Sequence, residues 1–537
     1  MYIMNNLKFH LISLGCPKNQ VDSEDMFTIL KKEGLIFSPE ISGSDICIVN
    51  TCGFLEKARK ESIDVIVETI NYKLNGDIKH IIVTGCMVNN YKDSLIKELP
   101  EVDYFLPTFD EYTIADIAKN KLDVFALIDG DYDDNNDNNY NDGNNDKNKD
   151  NLSNLREINF GGNLNNNLNL NKNVNKNQNK LTDKESINKG GLDIIEREHF
   201  NLKRTAYLKI SEGCDRKCSF CIIPSIRGQY KSKSIEDLKK EALYLSENGV
   251  KELILISQDT SYYGIDNNIK DGLYFLLKEL MKVKKIKWIR LMYLYPALIT
   301  DNLISLIKRE EKILKYIDMP VQHISDNVLK LMKRSTDKKT ILGLIEKFKA
   351  EIPDIALRTS LITGFPGETE SDFSELLSFI RETKFDNLGV FKYSDEREAA
   401  SFKLDNKINV KLKNERYKAL MELQNSLLPK IFSKYIGKNY DVIMDNENSG
   451  KNIIQARTYF QAPDIDGSTY IYLENNTGSN KIHNNNNNNN KINNNNNNNR
   501  INTADKISRT ERTDFLEVKI TKQKNYDLYG VAYNNGL

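Results

Sequence analysis

Six short apolar runs, each followed by a stretch of helical periodicity, dominate residues 201–429 of this chain. The runs read AYLKIS, ELILIS, WIRLMYLY, YIDMPV, ALRTSLITGF and NLGVFKYS. Strands that alternate with helices predict βα units and a parallel sheet. Because a closed TIM barrel needs eight such units, six predict an open (β/α)6 barrel with its chemistry at the carboxyl ends of the strands. Capping residues predict helix starts at Ser234 and Thr369, and nearer the N-terminus at Asp22 or Ser23.

A second, smaller α/β domain is predicted for residues 7–127. Its apolar runs FHLISLG, DICIVNT and HIIVTG end immediately before Cys16, Cys52 and Cys86, and helical patterns follow them. This order predicts a three-layer βαβαβα arrangement with a parallel sheet. Ligands collect outside the carboxyl ends of such strands, so the three cysteines are expected to converge in space. Burial in the core is the alternative, and we expect it for Cys47, which lies inside the second run.

The remaining parts of the chain differ in composition. Residues 430–537 contain the strand-like runs KNYDVIMDN, IIQARTYF, STYIYLEN, DFLEVKITKQ and DLYGVAY, which predict a small antiparallel β-barrel. Residues 131–200 and 475–503 are rich in Asn and Asp, and they lower the apolar content of the chain to 39%. Such polar segments bury too little apolar surface to offset chain entropy, so we expect two disordered inserts.

Charge and cysteine usage exclude several classes of protein. The 76 basic residues balance 76 acidic residues, so no overall positive field indicates a nucleic-acid partner. No apolar run reaches the ~18 residues that a membrane span requires, and no signal-peptide pattern opens the chain, so we expect a cytoplasmic protein without a membrane partner. Seven cysteines do not make a disulfide scaffold in a reducing compartment.

The most specific motif is a cysteine triplet that follows the first strand of the predicted barrel. Cys214, Cys218 and Cys221 form a C-x3-C-x2-C pattern within one loop. Three thiolates can hold three irons of a four-iron, four-sulfur cube and leave the fourth iron open. A structural zinc ion would need a fourth ligand, for which only the distant His199 is available. The spacing therefore favours an iron–sulfur cluster.

A C-x3-C-x2-C loop after the first strand of a six-unit barrel resembles the radical S-adenosylmethionine (SAM) enzymes. Across its ordered parts the chain is similar to their methylthiotransferases. That family combines an N-terminal domain bearing an auxiliary cluster, a radical-SAM barrel and a C-terminal TRAM barrel. The resemblance implies that Cys214, Cys218 and Cys221 bind the SAM-cleaving cluster. The auxiliary cluster would be bound by the three cysteines that follow the N-terminal strands, Cys16, Cys52 and Cys86.

The resemblance also implies contacts with SAM. Phe220 would lie against the adenine, and Gln258, in the sequence Ser-Gln-Asp after the second barrel strand, would lie near the SAM amino group. Ser360 and Ile362 would lie on the adenine side, although Ser360 replaces the first glycine that the family usually has there. His323, at the end of the fourth strand, is expected to make a structural or SAM-side hydrogen bond rather than to catalyse.

Chemistry of this kind would use no side chain as an acid or base. An unactivated C–H bond has no accessible acidity, so the resemblance implies that one SAM yields a 5'-deoxyadenosyl radical that removes the hydrogen atom. A second SAM would methylate a sulfur held at the auxiliary cluster. Two 4Fe-4S clusters, two SAM molecules per turnover and a low-potential electron donor such as flavodoxin or ferredoxin would be required.

The sequence motifs around the cysteines favour one substrate within the family. SLGCPKN at Cys16, NTCGFL at Cys52 and CIIPSIRG at Cys221 are similar to the RimO-type subfamily, which modifies the β-carbon of an aspartate of ribosomal protein S12. The alternative, the MiaB-type tRNA-adenosine subfamily, usually has Gln-Met-Asn after the first cysteine. A non-catalytic iron–sulfur RNA-binding protein is a third hypothesis, and it would not need a complete barrel.

The acidic residues of the C-terminal barrel support a protein substrate. A barrel that grips tRNA would be expected to display a basic face. Acidic side chains instead offset most of the basic ones, so we expect this face to dock a basic ribosomal protein. These acidic residues are Asp441, Asp445, Glu447, Asp464, Asp466 and Glu474.

The expected disorder of the inserts can be tested directly. Replacement of residues 131–189 and 475–503, each by a short Gly/Ser linker, should preserve soluble expression and iron content, because these segments lack residues that form a core. Iron assay of the anaerobically purified variants makes the comparison. A large loss of soluble, iron-loaded protein would show that an ordered element had been removed.

Overall fold

The computed structural model describes residues 7–119, 196–199, 204–446, 453–472 and 514–532. Its first part contains a five-stranded parallel sheet with the order β2-β1-β3-β4-β5. The strands are β1 (Lys8–Ser13), β2 (Ile36–Phe37), β3 (Ile46–Thr51), β4 (His80–Gly85) and β5 (Tyr104–Leu106). The three strands predicted from the apolar runs are β1, β3 and β4. The sequence did not reveal β2 and β5, because two or three residues are too few to show a periodicity.

The sheet is covered by helices that include α1 (Pro17–Lys32), α2 (Glu56–Leu74) and α3 (Cys86–Glu98). The predicted cap of the first helix at Asp22 or Ser23 is wrong, because Cys16 is the N-cap and Pro17 the first helical residue. Proline suits that position, since its missing N–H would have no partner there. Asp22 and Ser23 are instead buried inside the helix, where they bind neighbouring elements.

The central part contains a six-stranded parallel sheet with the order β6-β9-β10-β11-β12-β13. Strands β6 and β13 are its two edges, so the barrel is open, as predicted. The strands are β6 (Thr205–Lys209), β9 (Glu252–Ile256), β10 (Trp288–Leu291), β11 (Ile313–Asp318), β12 (Ala356–Thr363) and β13 (Asn387–Lys392). A short antiparallel ribbon, β7 (Ser211–Glu212) with β8 (Lys231–Ser232), follows β6.

Helices lie between these strands and after the last of them. They are α4 (Ile223–Arg227), α5 (Ile235–Glu247), α6 (Gly272–Leu280), α7 (Asp301–Arg309), α8 (Asp326–Leu331), α9 (Lys338–Glu351), α10 (Glu370–Thr383) and α11 (Val410–Phe432). Short 3-10 turns occupy Thr108–Thr113, Thr260–Tyr262, Ile265–Asn267, Pro296–Leu298 and Ala400–Lys403. The caps predicted at Ser234 and Thr369 are confirmed, and Thr369 forms a full capping box with Asp372. No helix of the described residues is long and apolar enough to cross a membrane.

The third part is a closed five-stranded barrel with the order β14-β15-β16-β18-β17. Its strands are β14 (Asn439–Asn446), β15 (Ile453–Arg457), β16 (Thr469–Tyr472), β17 (Phe515–Lys524) and β18 (Asp527–Ala532). Four of its pairings are antiparallel, as expected, whereas β16 and β18 pair in parallel. The predicted insert 475–503 lies outside the described residues. The boundary drawn at 429/430 falls within α11 and stays a prediction.

The two faces of the open sheet pack against different partners. Leu253 and Leu255 belong to the core that the outer helices cover, whereas Ile254 and Ile256 belong to a core shared with the C-terminal barrel. This alternation is the period of two that every strand imposes on its side chains. The segment 458–466, between β15 and β16, therefore covers the inner face of the open sheet.

Buried charges join that segment to the sheet. Glu252 is fully buried at the start of β9 and accepts from Arg290 at 2.8 Å and from Arg457 of β15 at 2.9 Å. Burial and the two guanidinium groups act in opposite directions on the carboxyl, and the guanidinium groups hold its pKa at about 2. Asp466 likewise accepts hydrogen bonds from Arg358 of β12 at 3.3 Å and from the Tyr316 hydroxyl at 2.7 Å.

One short part of the predicted insert 131–200 is described and packed. Arg197 is fully buried, and its guanidinium donates to Glu24 of α1 and to Glu241 of α5, the latter at 3.0 Å. The expectation of disorder is therefore wrong for residues 196–199, because this guanidinium neutralises two buried carboxylates that belong to different domains. Residues 120–195 lie outside the described residues.

Removal of the Arg457 guanidinium tests how firmly the C-terminal barrel is attached. Arg457→Met leaves the buried Glu252 carboxylate with Arg290 as its one remaining cationic partner among the described residues, which should cost about 3–5 kcal/mol. Thermal unfolding and limited proteolysis should show a lower midpoint and earlier release of the C-terminal part. Lys418→Met breaks an exposed pair with Glu422 on α11 and should cost less than about 1 kcal/mol. Equal midpoints for the two variants would contradict this account.

Candidate functional site

The three N-terminal cysteines converge, as predicted, at the carboxyl edge of the first sheet. Cys16 caps α1, Cys52 follows β3 directly, and Cys86 is the first residue of α3. Burial raises the pKa of Cys86 to about 12, against the lowering effect of Arg227, and the neighbouring Cys16 and Cys52 raise it further. The thiols therefore form one group, although they come from three separate βα units.

Glycines allow the three loops to approach closely. A Cβ on Gly15, which has a φ of +94°, would lie 2.7 Å from the Cys52 Cβ. A Cβ on Gly53 would lie 2.8 Å from the backbone of Cys86. Any larger residue at either position would push the cysteine loops apart.

Asn19 fixes the same loops through hydrogen bonds. Its side-chain amide donates to the carbonyl of Leu14 at 3.0 Å and to that of Thr51 at 2.9 Å, so it joins the segments that precede Cys16 and Cys52. Asn19 is fully buried. The NTC and CPKN sequences therefore belong to one hydrogen-bonded framework.

The second group of cysteines lies on the loop that the β7–β8 ribbon closes at its base. Cys214, Cys218 and Cys221 all line one open cavity of about 550 Å³ at the carboxyl end of the central sheet. Burial raises the pKa of Cys214 to about 11 and that of Cys221 to about 12. As free thiols these groups are protonated at neutral pH, so metal binding would release protons.

Arg216, which belongs to this loop, and Arg334 share one aromatic partner, Tyr295. Arg216 and Arg334 lie on the ring of Tyr295 at 4.0 Å and 4.1 Å from its centroid. Arg216 also donates to Asp259 at 2.8 Å, and Arg334 lies 3.7 Å from the sulfur of Cys218. Positive charge beside the thiols favours their thiolate forms.

The donor set fits a cluster better than a single metal ion. A zinc ion would need its ligands around one point, with each sulfur about 2.3 Å away. In the described part of the chain, no group of three His, Cys, Asp or Glu side chains is placed in that way. A cube binds each cysteine through a different iron, so its ligands need not share one point. Each group supplies three thiols, the number that can hold three irons of a cube.

Arg227 connects the two cysteine groups. It ends α4, directly after the Cys221 loop, and its side chain is almost fully buried. The guanidinium donates to Cys86 Sγ at 3.2 Å, to Asn19 at 2.6 Å and to Asp22 at 2.7 Å. One side chain of the central barrel thus binds a cysteine of the N-terminal domain.

The same network continues to one of the residues expected to contact SAM. Glu212 lies 3.4 Å from Arg227 and accepts from the Gln258 amide at 3.0 Å. Gln258 keeps its own carbonyl oxygen buried without a hydrogen bond among the described residues. An orphaned buried acceptor at the end of β9 suits a ligand that donates hydrogen bonds, as the amino group of SAM would.

The other residues expected to contact SAM lie nearby. Phe220 and Ile362 pack against the same small apolar cluster, which contains Phe365 and Tyr393. Ser360 is buried on β12 beside Arg358, with 3.5 Å between the hydroxyl and the guanidinium. The structure brings Phe220 and Ile362 together, whereas Ser360 faces the ion pairs of the inner sheet. Their roles toward SAM stay predictions.

Cys47 is a core residue, as expected, and His323 is buried with its Nε2 lacking a hydrogen bond among the described residues, so its structural or SAM-side role stays a prediction. His323 is fully buried, its Nδ1 accepts from the Ser325 backbone at 3.0 Å, and burial lowers its pKa to about 4. Cys47 is fully buried in the core of the first sheet with Val49 and Ile63. Neither lines a cysteine cavity.

A second cavity, of about 470 Å³, lies where the three parts of the chain meet. Cys16 lines it from the N-terminal domain, Tyr293 and Met292 from the end of β10, and Pro463 and Ile465 from the C-terminal barrel. Tyr293 has a φ of +59°, an uncommon conformation for a residue with a side chain. Strained residues of this kind cluster at functional sites.

Sequence reasoning missed Arg227, Tyr293 and Glu212 as site residues. Arg227 gave a usable signal, because it ends the apolar sequence IIPSI immediately after the cysteine triplet. Charged residues within strand patterns, such as Arg290 and Glu252, gave another, since such charges are buried only in pairs. Nothing local marked Tyr293, whose importance depends on the parts that meet around it.

Comparisons with known families agree with this division of the chain. Residues 8–107 match the uncharacterized protein family UPF0004, residues 208–380 the radical SAM superfamily and residues 436–484 the TRAM domain. Among solved structures, the radical S-adenosylmethionine methyltransferase TsrM from Kitasatospora setae is 12% identical, with a TM-score of 0.45 over 73% of this chain and 75% of that one. This structural similarity is too low to support a conclusion about function.

Sequence relatives extend over almost the whole chain. A protein of Clostridium tetani, named ribosomal protein uS12 methylthiotransferase RimO, is 39% identical over 87% of this chain and 92% of its own length. A protein of Citrifermentans bemidjiense with the same name is 40% identical over 87% and 93%. One of Alkaliphilus oremlandii, also of that name, is 36% identical over 98% and 99%.

Alanine substitutions test the two cysteine groups separately. Wild-type protein reconstituted without oxygen should hold about eight irons if both groups bind cubes. Loss of Cys214, Cys218 and Cys221 together should remove about half of the iron and abolish SAM cleavage. Loss of Cys16, Cys52 and Cys86 should also remove about half, yet leave some 5'-deoxyadenosine formation.

Cys47→Ala is the matched control, because Cys47 is a buried cysteine of the same sheet outside both groups. It should change neither iron content nor SAM cleavage. Iron assay and chromatography of 5'-deoxyadenosine provide the measurements. Loss of iron in Cys47→Ala, with full retention in Cys86→Ala, would contradict the assignment.

Proposed function

The chain belongs to the ribosomal protein uS12 methylthiotransferase (RimO) family, and from this membership we propose that it adds a methylthio group to the β-carbon of an aspartate of ribosomal protein uS12. The observation that carries this function is identity of 36–40% to relatives of that name along 92–99% of their length. The enzyme is a radical SAM methylthiotransferase. A ribosomal-protein substrate would place it in the cytoplasm.

The reaction needs cofactors because the β C–H bond of aspartate cannot be broken by a side-chain base. When bound, SAM and a 4Fe-4S cluster would supply the radical that removes the hydrogen atom. A second SAM and the auxiliary cluster would supply the methyl group and the sulfur. The protein binds and orients these groups. Cys214, Cys218 and Cys221 would hold the cluster that receives SAM, and Gln258 would bind the amino group of SAM through its unpaired carbonyl oxygen.

A second cluster at Cys16, Cys52 and Cys86 completes the proposal. Two distinct groups of three thiols, each at the carboxyl edge of a parallel sheet, support it. Three cysteines leave one iron of a cube without a protein ligand, so each cluster would keep an open position. Two SAM molecules per turnover and a low-potential donor, such as flavodoxin or ferredoxin, follow from the chemistry.

The cavity between the three parts would receive the substrate aspartate. It is lined by Cys16 on one side and by the end of β10 on another, and Asp464 and Ile465 are exposed at its C-terminal side. A folded loop of a protein could enter such an opening.

The acidic residues of the C-terminal barrel give less support to a basic protein substrate than the sequence suggested. Asp445 and Asp466 are bound to Arg457 and Arg358 inside the protein, so neither can dock a basic partner. Asp441 and Asp464 are exposed, whereas residues 447 and 474 lie outside the described part. The preference for uS12 over tRNA therefore rests on the relatives named uS12 methylthiotransferase and on the sequence motifs around the cysteines.

Direct modification assays separate the substrates. Reduced enzyme with SAM should add a methylthio group to purified uS12, read by mass spectrometry as a modified aspartate, and should leave unmodified tRNA unchanged. The variant that lacks Cys16, Cys52 and Cys86 is the control, since it should form 5'-deoxyadenosine without modifying uS12. Modified adenosine alongside unmodified uS12 would favour the MiaB-type function. Absence of SAM cleavage would favour the non-catalytic hypothesis.

A further inference from the structure

Recognition of the substrate carboxylate is a separate problem from the radical chemistry. In aspartate the β-carbon is bonded directly to the carboxyl carbon, so the carboxylate must lie beside the point at which sulfur is delivered. A carboxylate that leaves water needs a cationic or hydrogen-bonding partner, because burial of an unpaired charge is costly. A cation is therefore expected near the N-terminal cysteine group, at the edge of the cavity that Cys16 lines.

Most cations in this region are already neutralised. Arg227, Lys209 and Arg358 each contact at least one carboxylate within the protein. Their partners are Asp22 for the first two and Asp318 for the third. These side chains are held in ion pairs within the protein, so none of them is available to a substrate carboxylate.

Lys18 differs from these cations. It lies two residues after Cys16, in the first turn of α1. Pro17 and Gln20 of that turn line the cavity; Lys18 does not line it, but its ammonium lies on the ring of Tyr293, which does. Within the described ranges no carboxylate is close enough to form a salt bridge with it. The first turn of a helix adds to the local positive potential, since its N–H groups point outward.

An aromatic ring holds the Lys18 ammonium in place. Its Nζ lies 4.0 Å from the ring centroid of Tyr293, the residue with a φ of +59° that lines the same cavity. The backbone of Tyr293 is fixed on both sides, because its N–H donates to Asp318 at 3.0 Å and its carbonyl accepts from Thr260 at 3.1 Å. A cation–π contact positions an ammonium without neutralising it, so its hydrogen-bond donors stay available.

We propose that Lys18, positioned by Tyr293, binds the side-chain carboxylate of the substrate aspartate and makes the enzyme selective for an acidic residue over a neutral one. This inference rests on the proposed function, and it assigns the carboxylate end of the substrate to the side of the cavity nearest Cys16. Asp464, exposed at the opposite side, is placed to face the remainder of a basic substrate.

Paired substitutions in enzyme and substrate test the assignment. The enzyme variants are Lys18→Met, which keeps a chain of similar length without charge, and Lys18→Arg, which keeps the charge. The substrates are uS12 and uS12 with the target aspartate replaced by asparagine. Lys31→Met is the matched control, because Lys31 lies on the same helix and also contacts an aromatic ring, that of Phe27, away from the cavity.

Loss of a charge-assisted hydrogen bond should lower kcat/KM of Lys18→Met for the aspartate substrate by about ten- to a hundredfold. The asparagine substrate should be used equally well by wild type and Lys18→Met, and Lys18→Arg should recover part of the loss. Affinity for uS12, measured by anaerobic binding without turnover, should fall in parallel. Iron content and 5'-deoxyadenosine formation should stay at the wild-type level.

The outcomes separate this inference from the proposed function. If wild type modifies uS12 and uses the asparagine substrate as well as the aspartate one, the enzyme has no carboxylate receptor and the inference fails, whatever the variants do. An equal loss in Lys18→Met for both substrates would also overturn it, because the effect would then be structural. Failure of wild type to modify uS12 at all would instead refute the proposed function.

Discussion

The arrangement of this protein depends on a buried guanidinium, that of Arg227. It binds a cysteine sulfur and an aspartate of one domain while it belongs to the cysteine loop of another. An arginine can do this because its planar fork supplies donors in several directions at once and keeps its charge under all conditions. The acceptors around it exist only where the carboxyl edges of the two parallel sheets face each other. The contact therefore fixes the distance between the two cysteine groups.

A similar principle attaches the C-terminal barrel. Glu252, at the amino end of the central sheet, is buried and needs both Arg290 and Arg457, and the latter belongs to another domain. Paired buried charges are weak evidence for high stability, but a missing partner is strongly unfavourable. Such pairs tolerate only one docking geometry. They hold the segment 458–466 against the inner face of the open sheet, and that segment supplies one wall of the cavity in which Cys16 lies.

The cavity is thus a product of assembly rather than of any single domain. Its walls come from the first turn of α1, from the end of β10 and from the segment between β15 and β16. Tyr293, at the end of β10, has a left-handed backbone conformation that is unfavourable for a residue with a side chain. Hydrogen bonds with Asp318 and Thr260 hold its N–H and its carbonyl in this conformation.

The sequence by itself determined most of the strands and helices and which cysteines lie together. Period-two and period-3.6 patterns gave the strands and helices of both sheets, and the triplet Cys214, Cys218 and Cys221 lies in one loop, where spacing alone specifies its geometry. The position of Cys16, Cys52 and Cys86 after successive strands was also sufficient, because parallel strands bring their carboxyl ends to one edge. Local signals failed where tertiary contacts override them, as at Asp22, which resembles a helix cap but neutralises Arg227.

Only the tertiary structure decided how the domains face one another and which charges remain free. Whether an acidic or basic residue docks a partner or a neighbouring domain cannot be predicted from composition, since the answer depends on what lies within about 4 Å of it in space. Asp445 and Asp466 had the appearance of surface residues and are internal, whereas Lys18 had no distinguishing pattern and retains an unneutralised charge beside Tyr293. Long-range contacts of this kind are set by packing, which no local stretch of the chain encodes.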